Sequence, residues 1–239
     1  MAAGGAALAL TAAPALAQTL SLDLGDGSGS TTARLIQLLA LLTVLSLAPS
    51  ILVMVTSFTR IVVVLSFLRT AIGIQQSPPS SVIISLALFL TAFVMAPTLE
   101  QAWNTGVRPL INEEINEAEA LNRTIAPFHR FMMAHVRERD LKLFLDIAKT
   151  PTPETREQTP LRALVPAFMI SELRRAFEIG FLLFVPFLII DMVVASVLLS
   201  MGMMMLPPAI VSLPFKLIFF VLVDGWFLVA GSLVQSFGT

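Results

Sequence analysis

The sequence predicts an all-α membrane protein in which two long hydrophobic helical hairpins flank a helical extracytoplasmic insert. Of its 239 residues, 56% are hydrophobic and only 13% are charged, whereas soluble domains carry roughly 25% charged residues. Of the 31 charged side chains, 23 lie between Glu100 and Glu178. Outside that region, four apolar segments are long enough for a helix to cross a bilayer, which takes about 20 residues. They are Leu35–Thr59, Ser80–Leu99, Gly180–Leu206 and Ala209–Thr239.

The N-terminus predicts a cleaved signal peptide over residues 1–17, followed by a flexible polar linker over 18–33. A short apolar run ends in Ala15-Leu16-Ala17, the small-x-small pattern of a signal peptidase site, so we expect cleavage after Ala17. No Lys or Arg precedes Arg34, so the usual basic region is missing, and a disordered Ala/Gly tail is the alternative. Cleavage would leave the mature N-terminus outside the cytoplasm.

The first hairpin is predicted over residues 34–99, with a first helix that runs on through Arg60 and Arg69 and stops at Gly73. A Pro-Pro pair at 78–79 marks the tip, because proline ends one helix and suits the first turn of the next. Both arginines lie on the same side as this tip, and an excess of basic residues in a short loop marks the cytoplasmic side. The loop after the hairpin therefore falls outside the cytoplasm.

The insert is predicted over residues 100–178, with 11 basic and 12 acidic side chains. Acidic helix formers at 112–122 indicate one helix, and Pro127 is predicted to open a second, amphipathic helix. The Pro- and Thr-rich stretch 150–160 is predicted to be a mobile loop. From Leu161 a helical pattern runs to Ser200, about 60 Å at 1.5 Å per residue.

The second hairpin is predicted over residues 179–239, with a methionine-rich tip before Pro207-Pro208. Asp191 and Lys216 lie within its apolar arms at similar distances from the tip, so we expect them to pair. An ionisable residue inside a membrane is costly and faces protein or water. An ion pair that fixes the hairpin is favoured over a proton or ion pathway, because a transporter would usually show more polar groups at depth.

Other charged residues predict local ion pairs and no catalysis. Glu172 and Glu178 each lie three residues from Arg175 on a helix, which is close enough to pair; pairing between subunits is the sharper alternative. The chain has no cysteine and a net charge of −1, which excludes thiolate chemistry and disfavours a nucleic-acid partner. His129 and His135 lie on different helix faces. We therefore expect no enzyme, no metal site and no cofactor.

Four blocks carry a resemblance to a known family. They are "SFTRIVVVLSFLRTAIG", "PAFMISELRRAFEIGF", "PFLIIDMVVASVLLSMGMMMLPP" and "LPFKLIFFVLVDGW". They resemble the signature blocks of the FliP family, the core protein of the flagellar type III export gate, and the injectisome paralogue is similar. The resemblance covers roughly residues 33–239.

The resemblance implies an all-helical subunit of the bacterial inner membrane, in the flagellar basal body, that assembles as a homopentamer. It implies FliQ- and FliR-type membrane subunits and other export-apparatus membrane proteins as partners, with unfolded secreted proteins as cargo. It also implies roles for individual positions. The implied pore gasket is Met203, Met204 and Met205 with Met201 adjacent; the implied pore-lining aromatics are Phe131 and Phe144; the matching charged positions are Arg137, Glu172, Asp191 and Lys216.

Two classes of function remain open from the sequence. The leading hypothesis is a passive protein-conducting gate subunit whose methionines seal the pore. The alternatives are a small proton-coupled transporter that works through Asp191 and Lys216, and a gate subunit of virulence-type secretion.

Overall fold

The computed structural model describes residues 31–74, 77–151, 153, 155–203 and 205–238. The predicted signal peptide, its cleavage site at Ala17 and most of the predicted linker lie outside these residues. The described part is helical and contains no strand, which confirms the all-α prediction. The helices are α1 (Thr31–Val55), α2 (Phe58–Ile72), α3 (Ser80–Ala102), α4 (Arg108–Ile111), α5 (Glu117–His135), α6 (Glu138–Ile147), α7 (Leu161–Ser200), α8 (Pro208–Leu222) and α9 (Gly225–Gln235).

The chain divides after Leu45 into two compact units. The described part of the first unit is the N-terminal portion of α1, and all other helices belong to the second. α1 itself begins three residues before the predicted start of the first hairpin at 34.

The helix predicted to run unbroken to Gly73 is interrupted at Thr56 and Ser57, which corrects that prediction. The Thr56 hydroxyl oxygen accepts a 3.4 Å hydrogen bond from the Phe58 amide, and such a side-chain bond competes with the helical ladder. The second helix, α2, stops as predicted, because Gly73 adopts the left-handed conformation with φ 91° and its amide donates to the Thr70 carbonyl. Glycine has no Cβ that would clash in that conformation.

The insert differs from its prediction at Pro127, which lies inside α5 and does not begin a helix. α5 begins ten residues earlier, where the Asn116 side chain accepts a 2.9 Å hydrogen bond from the Glu119 amide and caps the helix. A π-helical turn, Trp103–Val107, joins α3 to α4. At Gly106 within this turn, the backbone is buried and packs closely against α5.

α7 matches the predicted long helix from Leu161 to Ser200. The last apolar segment, in contrast, is not one helix: α8 and α9 meet at a 63° bend. Asp224, at that bend, has a φ of 50°. Within the described residues, Ser80–Ile111 and Leu161–Ser200 are long and apolar enough to cross a membrane, and the bent α8–α9 pair makes a third if it is one span.

The main hydrophobic core surrounds α2. Buried residues of α2, including Ile61, Val64 and Leu65, pack with residues from α3, α7, α8 and α9. A smaller cluster of Met132, Leu164 and Phe168 joins the insert to α7. These two clusters bring together residues that are far apart in sequence. They also position the charged side chains described next.

Candidate functional site

The methionine-rich segment begins in a helix-terminating turn with a defined backbone. The Met203 amide donates to the Leu198 carbonyl at 3.0 Å, and the Gly202 amide donates to the Leu199 carbonyl at 3.1 Å. Gly202 has a φ of 75°. These two bonds around a left-handed glycine form a Schellman motif, which satisfies the free carbonyls at the end of a helix. The backbone from Leu198 to Met203 is therefore held by hydrogen bonds.

The methionine side chains on this turn are exposed. Met205 is 98% exposed, Met201 64% and Met203 43%. Met204 lies outside the described residues. Methionine is unbranched and flexible, so it adapts to irregular surfaces. The turn thus combines a hydrogen-bonded backbone before Met204 with exposed side chains at Met201, Met203 and Met205.

Asp191 and Lys216 lie together between α7 and α8, as their spacing from the tip predicts. Lys216 Nζ lies 2.6 Å from Asp191 Oδ2 and donates a second bond of 3.3 Å to the Ala71 carbonyl of α2. The Ser212 hydroxyl donates to Asp191 Oδ1 at 2.5 Å. The Lys216 side chain is only 7% exposed, whereas that of Asp191 is 30% exposed. The pair therefore links three helices, and Ser212 is a partner that no sequence pattern marked.

Glu172 does not pair with Arg175, which its spacing predicted. Its two carboxylate oxygens accept hydrogen bonds from Arg60 Nε at 2.8 Å and Arg60 Nη2 at 2.5 Å. Both side chains are fully buried. Glu178 likewise pairs with Arg174, at 2.8 Å. Arg175 makes no ion pair or hydrogen bond with any residue in the described part of the chain. Sequence reasoning used Arg60 only to orient the first hairpin and missed its pairing with Glu172, although a lone charge in an apolar stretch was a signal.

Arg137 belongs to a polar cluster that fastens α6 to α7. Its guanidinium donates to both carboxylate oxygens of Asp140, at 2.8 and 2.7 Å. The Ser171 hydroxyl of α7 donates to Asp140 Oδ2 at 2.7 Å and accepts from the Arg137 amide at 3.1 Å. The hydrogen bond from Arg137, with that from Ser171, holds the pKa of Asp140 below its ordinary value, because both favour the charged carboxylate. The same bond raises the pKa of Arg137.

The two aromatic residues of the predicted pore have different surroundings in the subunit. Phe131 is half-buried and contacts Phe168 and Phe237, with ring centroids 5.9 and 6.0 Å apart. Phe144 is half-buried on α6. The ring contacts of Phe131 are with His135, Phe168 and Phe237, and none of them involves Phe144.

Apolar surface covers much of the outside of α7 and α8. An apolar groove of about 530 Å³ between them is lined by residues that include Ile190, Val194 and Phe215, and large apolar side chains elsewhere on α7 are exposed. Soluble monomers rarely expose contiguous patches of this kind. Among the residues that the structure describes, no group of three or more His, Asp or Glu side chains is arranged to hold a metal ion.

These features define a helical membrane protein whose long apolar helices are joined by a buried and a partly buried charge pair. The chain belongs to the FliP family, whose model matches residues 41–233. It is 62% identical over 232 residues to the flagellar biosynthetic protein FliP of Caulobacter vibrioides, covering 97% of this chain and 87% of the relative. The protein of the same name from Bacillus subtilis is 56% identical over 202 residues, covering 84% and 91% of the two chains. That of Rhizobium meliloti is 54% identical over 211 residues, covering 87% and 86%.

Proposed function

We propose that this chain is a core subunit of a protein-conducting export gate that passes unfolded flagellar proteins across the bacterial inner membrane. The names of its relatives support the flagellar assignment, since each is called a flagellar biosynthetic protein. The apolar helices support a membrane location. On this proposal the chain is not an enzyme, and the energy for transport comes from other components.

One observation carries the gate assignment: the exposed methionine turn. Met205 is almost fully exposed, and the turn that precedes it has a hydrogen-bonded backbone. In a homopentamer, five copies of Met201, Met203, Met204 and Met205 would meet around the symmetry axis. Flexible thioether side chains would there form an apolar gasket that stops ions and deforms around a passing chain.

The remaining assignments are parts of the same proposal: the orientation rests on the predicted topology, and the partners and the pore-lining aromatics rest on the resemblance to the FliP family. The signal peptide is removed after Ala17, the insert lies on the periplasmic side, and the methionine turn faces the cytoplasmic entrance. FliQ- and FliR-type subunits complete the pore with this chain, and other export-apparatus membrane proteins surround it. Phe131 and Phe144 narrow the lumen. Of the charged positions that the sequence singled out, Arg175 is the one with no ion-pair partner within the described part of the chain, so we assign it to pairing with another subunit.

The gasket is tested by replacing Met203, Met204 and Met205 together with alanine. We expect the assembled gate to conduct ions at rest, because alanine leaves the axis open, and we expect little conductance from the unchanged gate. Met192→Ala is the matched control, since Met192 is 69% exposed but lies on the body of α7. Background conductance from the triple variant in an assembled gate would contradict the gasket.

A proton-coupled transporter is the second candidate, and its residues would be Asp191 and Lys216. The closed hydrogen bonding of this pair, with Lys216 buried, favours a structural role. A transporter should lose function when Asp191→Asn and Lys216→Met are combined. A structural pair should instead assemble better in the double variant than in the more damaging single variant.

A further inference from the structure

Arg60 is the centre of a buried polar cluster that reaches the C-terminus of the chain. Arg60, on α2, is 1% exposed. Its Nε and Nη2 donate hydrogen bonds to the Glu172 carboxylate. The remaining terminal nitrogen, Nη1, donates to the Ser236 carbonyl at 3.0 Å and to the Ser236 hydroxyl oxygen at 2.9 Å. Ser236 caps the C-terminal end of α9. A cation at this end satisfies a free carbonyl and complements the helix dipole.

Phe237, the next residue, extends this cluster to the insert. The guanidinium carbon of Arg60 lies 3.7 Å from the centroid of the Phe237 ring, within the range of a cation–π interaction. The ring also stacks on Phe131, at 6.0 Å, and lies 5.2 Å from the ring of His135. Both of those residues belong to α5. Phe237 is only 7% exposed, so it is an integral part of the core.

We propose that Ser236 and Phe237 form a C-terminal latch that positions the insert helix α5 against α2 and α7. Arg60 holds the latch through Ser236, and Phe237 transmits that position to α5 through Phe131 and His135. His135 is itself oriented, because its Nδ1 donates a 2.8 Å hydrogen bond to the Phe131 carbonyl. Without the latch, α5 would keep its own helical hydrogen bonds but lose the aromatic contacts that connect it to the second hairpin.

The latch also gives the buried Glu172 a role within its own subunit. Both oxygens of this carboxylate are occupied by Arg60, and the side chain is 0% exposed. It has no surface with which to contact a second copy of the chain. Glu172 therefore acts within its own subunit: it orients the guanidinium so that Nη1 points to Ser236 and the ring face of Phe237 lies against the cation.

The position of α5 is measured by the distance between two spin labels in the full chain in detergent. The sequence has no cysteine, so cysteines introduced at Ala126 on α5 and Thr70 on α2, both exposed, are labelled without background. We expect a narrow distance distribution in the unchanged latch. Phe237→Ala should broaden the distribution and shift its mean.

Phe220→Ala is the matched control for lost packing. Phe220 is 5% exposed, close to the 7% of Phe237, but its ring contacts are with Phe187 and Trp226 and not with the insert. It should lower the thermal midpoint without changing the label distance. An unchanged distribution for Phe237→Ala, or equal broadening for Phe220→Ala, would overturn the latch.

A second variant covers the case in which Phe237→Ala does not accumulate. Phe237→Leu keeps apolar volume but removes the cation–π contact and the ring stacking, so we expect a smaller broadening in the same direction. Arg60→Lys should do likewise, because an ammonium group cannot reproduce the planar fork that bonds Glu172 and Ser236 together. If both variants keep the distance distribution of the unchanged chain, the latch does not position α5.

Discussion

The crossing of the π-helical turn with α5 leaves no room for a side chain at Gly106. A Cβ at this position would lie 2.1 Å from Thr124 Oγ1, 2.8 Å from the Thr124 amide nitrogen and 3.0 Å from the Ala120 carbonyl oxygen. Two of these three atoms are backbone, so rotation of the Thr124 side chain cannot relieve the overlap. Gly106→Ala must instead move the helices apart, by about 0.6 Å for the amide nitrogen to reach ordinary contact.

The size of the effect follows from this geometry. Overpacking costs about 1–3 kcal/mol, and contacts with two backbone atoms put Gly106→Ala in the upper part of that range, at about 2–3 kcal/mol. For a chain of this length each kcal/mol lowers the unfolding midpoint by roughly 2–4 °C. We therefore expect the midpoint to fall by roughly 4–12 °C. The insert is attached to α3 at this crossing, so its position should change as well.

Tryptophan fluorescence during heating in detergent measures this prediction, since Trp103 lies in the same π-helical turn. Gly231→Ala is the control: no atom lies within 4 Å of its Cβ position, and alanine favours a helix by about 1 kcal/mol over glycine. Its midpoint should stay or rise. Adding Thr124→Ala to Gly106→Ala should restore part of the loss, because only the hydroxyl contact is removed. An unchanged midpoint for Gly106→Ala would refute the close crossing.

Three further predictions concern the charge pairs and the methionine turn. Asp191→Asn should lower the free energy of unfolding by about 3–5 kcal/mol. The loss should exceed that of Lys216→Met, because Asp191→Asn leaves the more buried Lys216 without a charged partner. In thermal unfolding, the double variant should be more stable than Asp191→Asn. Since the pKa of Asp140 is lowered in the fold, its stabilising effect should hold above about pH 4 and be lost as pH falls through the lowered pKa; Asp140→Asn should flatten that dependence of the midpoint on pH. Gly202→Ala meets no neighbouring atom but keeps a φ of 75°, so unfolding should show a loss of about 1–2 kcal/mol from strain alone.

Local signals in the sequence predicted several elements correctly. Gly73 ends α2 because glycine tolerates the left-handed conformation, and the apolar run from Leu161 to Ser200 is one helix. The pairing of Asp191 with Lys216 could be inferred because both lie in apolar arms that share one turn. In each case the determinant is close in sequence or follows from the hairpin itself.

Other features depend on contacts that a sequence does not display. Glu172 bonds Arg60, 112 positions away, and not Arg175, because only Arg60 is buried beside it. The break at Ser57 contains neither glycine nor proline, so no strong punctuation marks it. The bend at Asp224 did have a signal, since Asp-Gly is a common turn dipeptide, but the apolar flanks favoured a continuous helix.

In the proposed export gate, the exposure of the methionines has an entropic consequence for the exported chain. A side chain that is 98% exposed, as Met205 is, keeps its freedom to rotate about three bonds. Each methionine that is immobilised against a transported segment loses up to about 1.5–2 kcal/mol of rotamer freedom. This loss offsets much of the gain from apolar contact. In a ring of such side chains, the same loss of rotamer freedom would recur for every new segment. On the proposed function, the turn would therefore contact a moving polypeptide without retaining it.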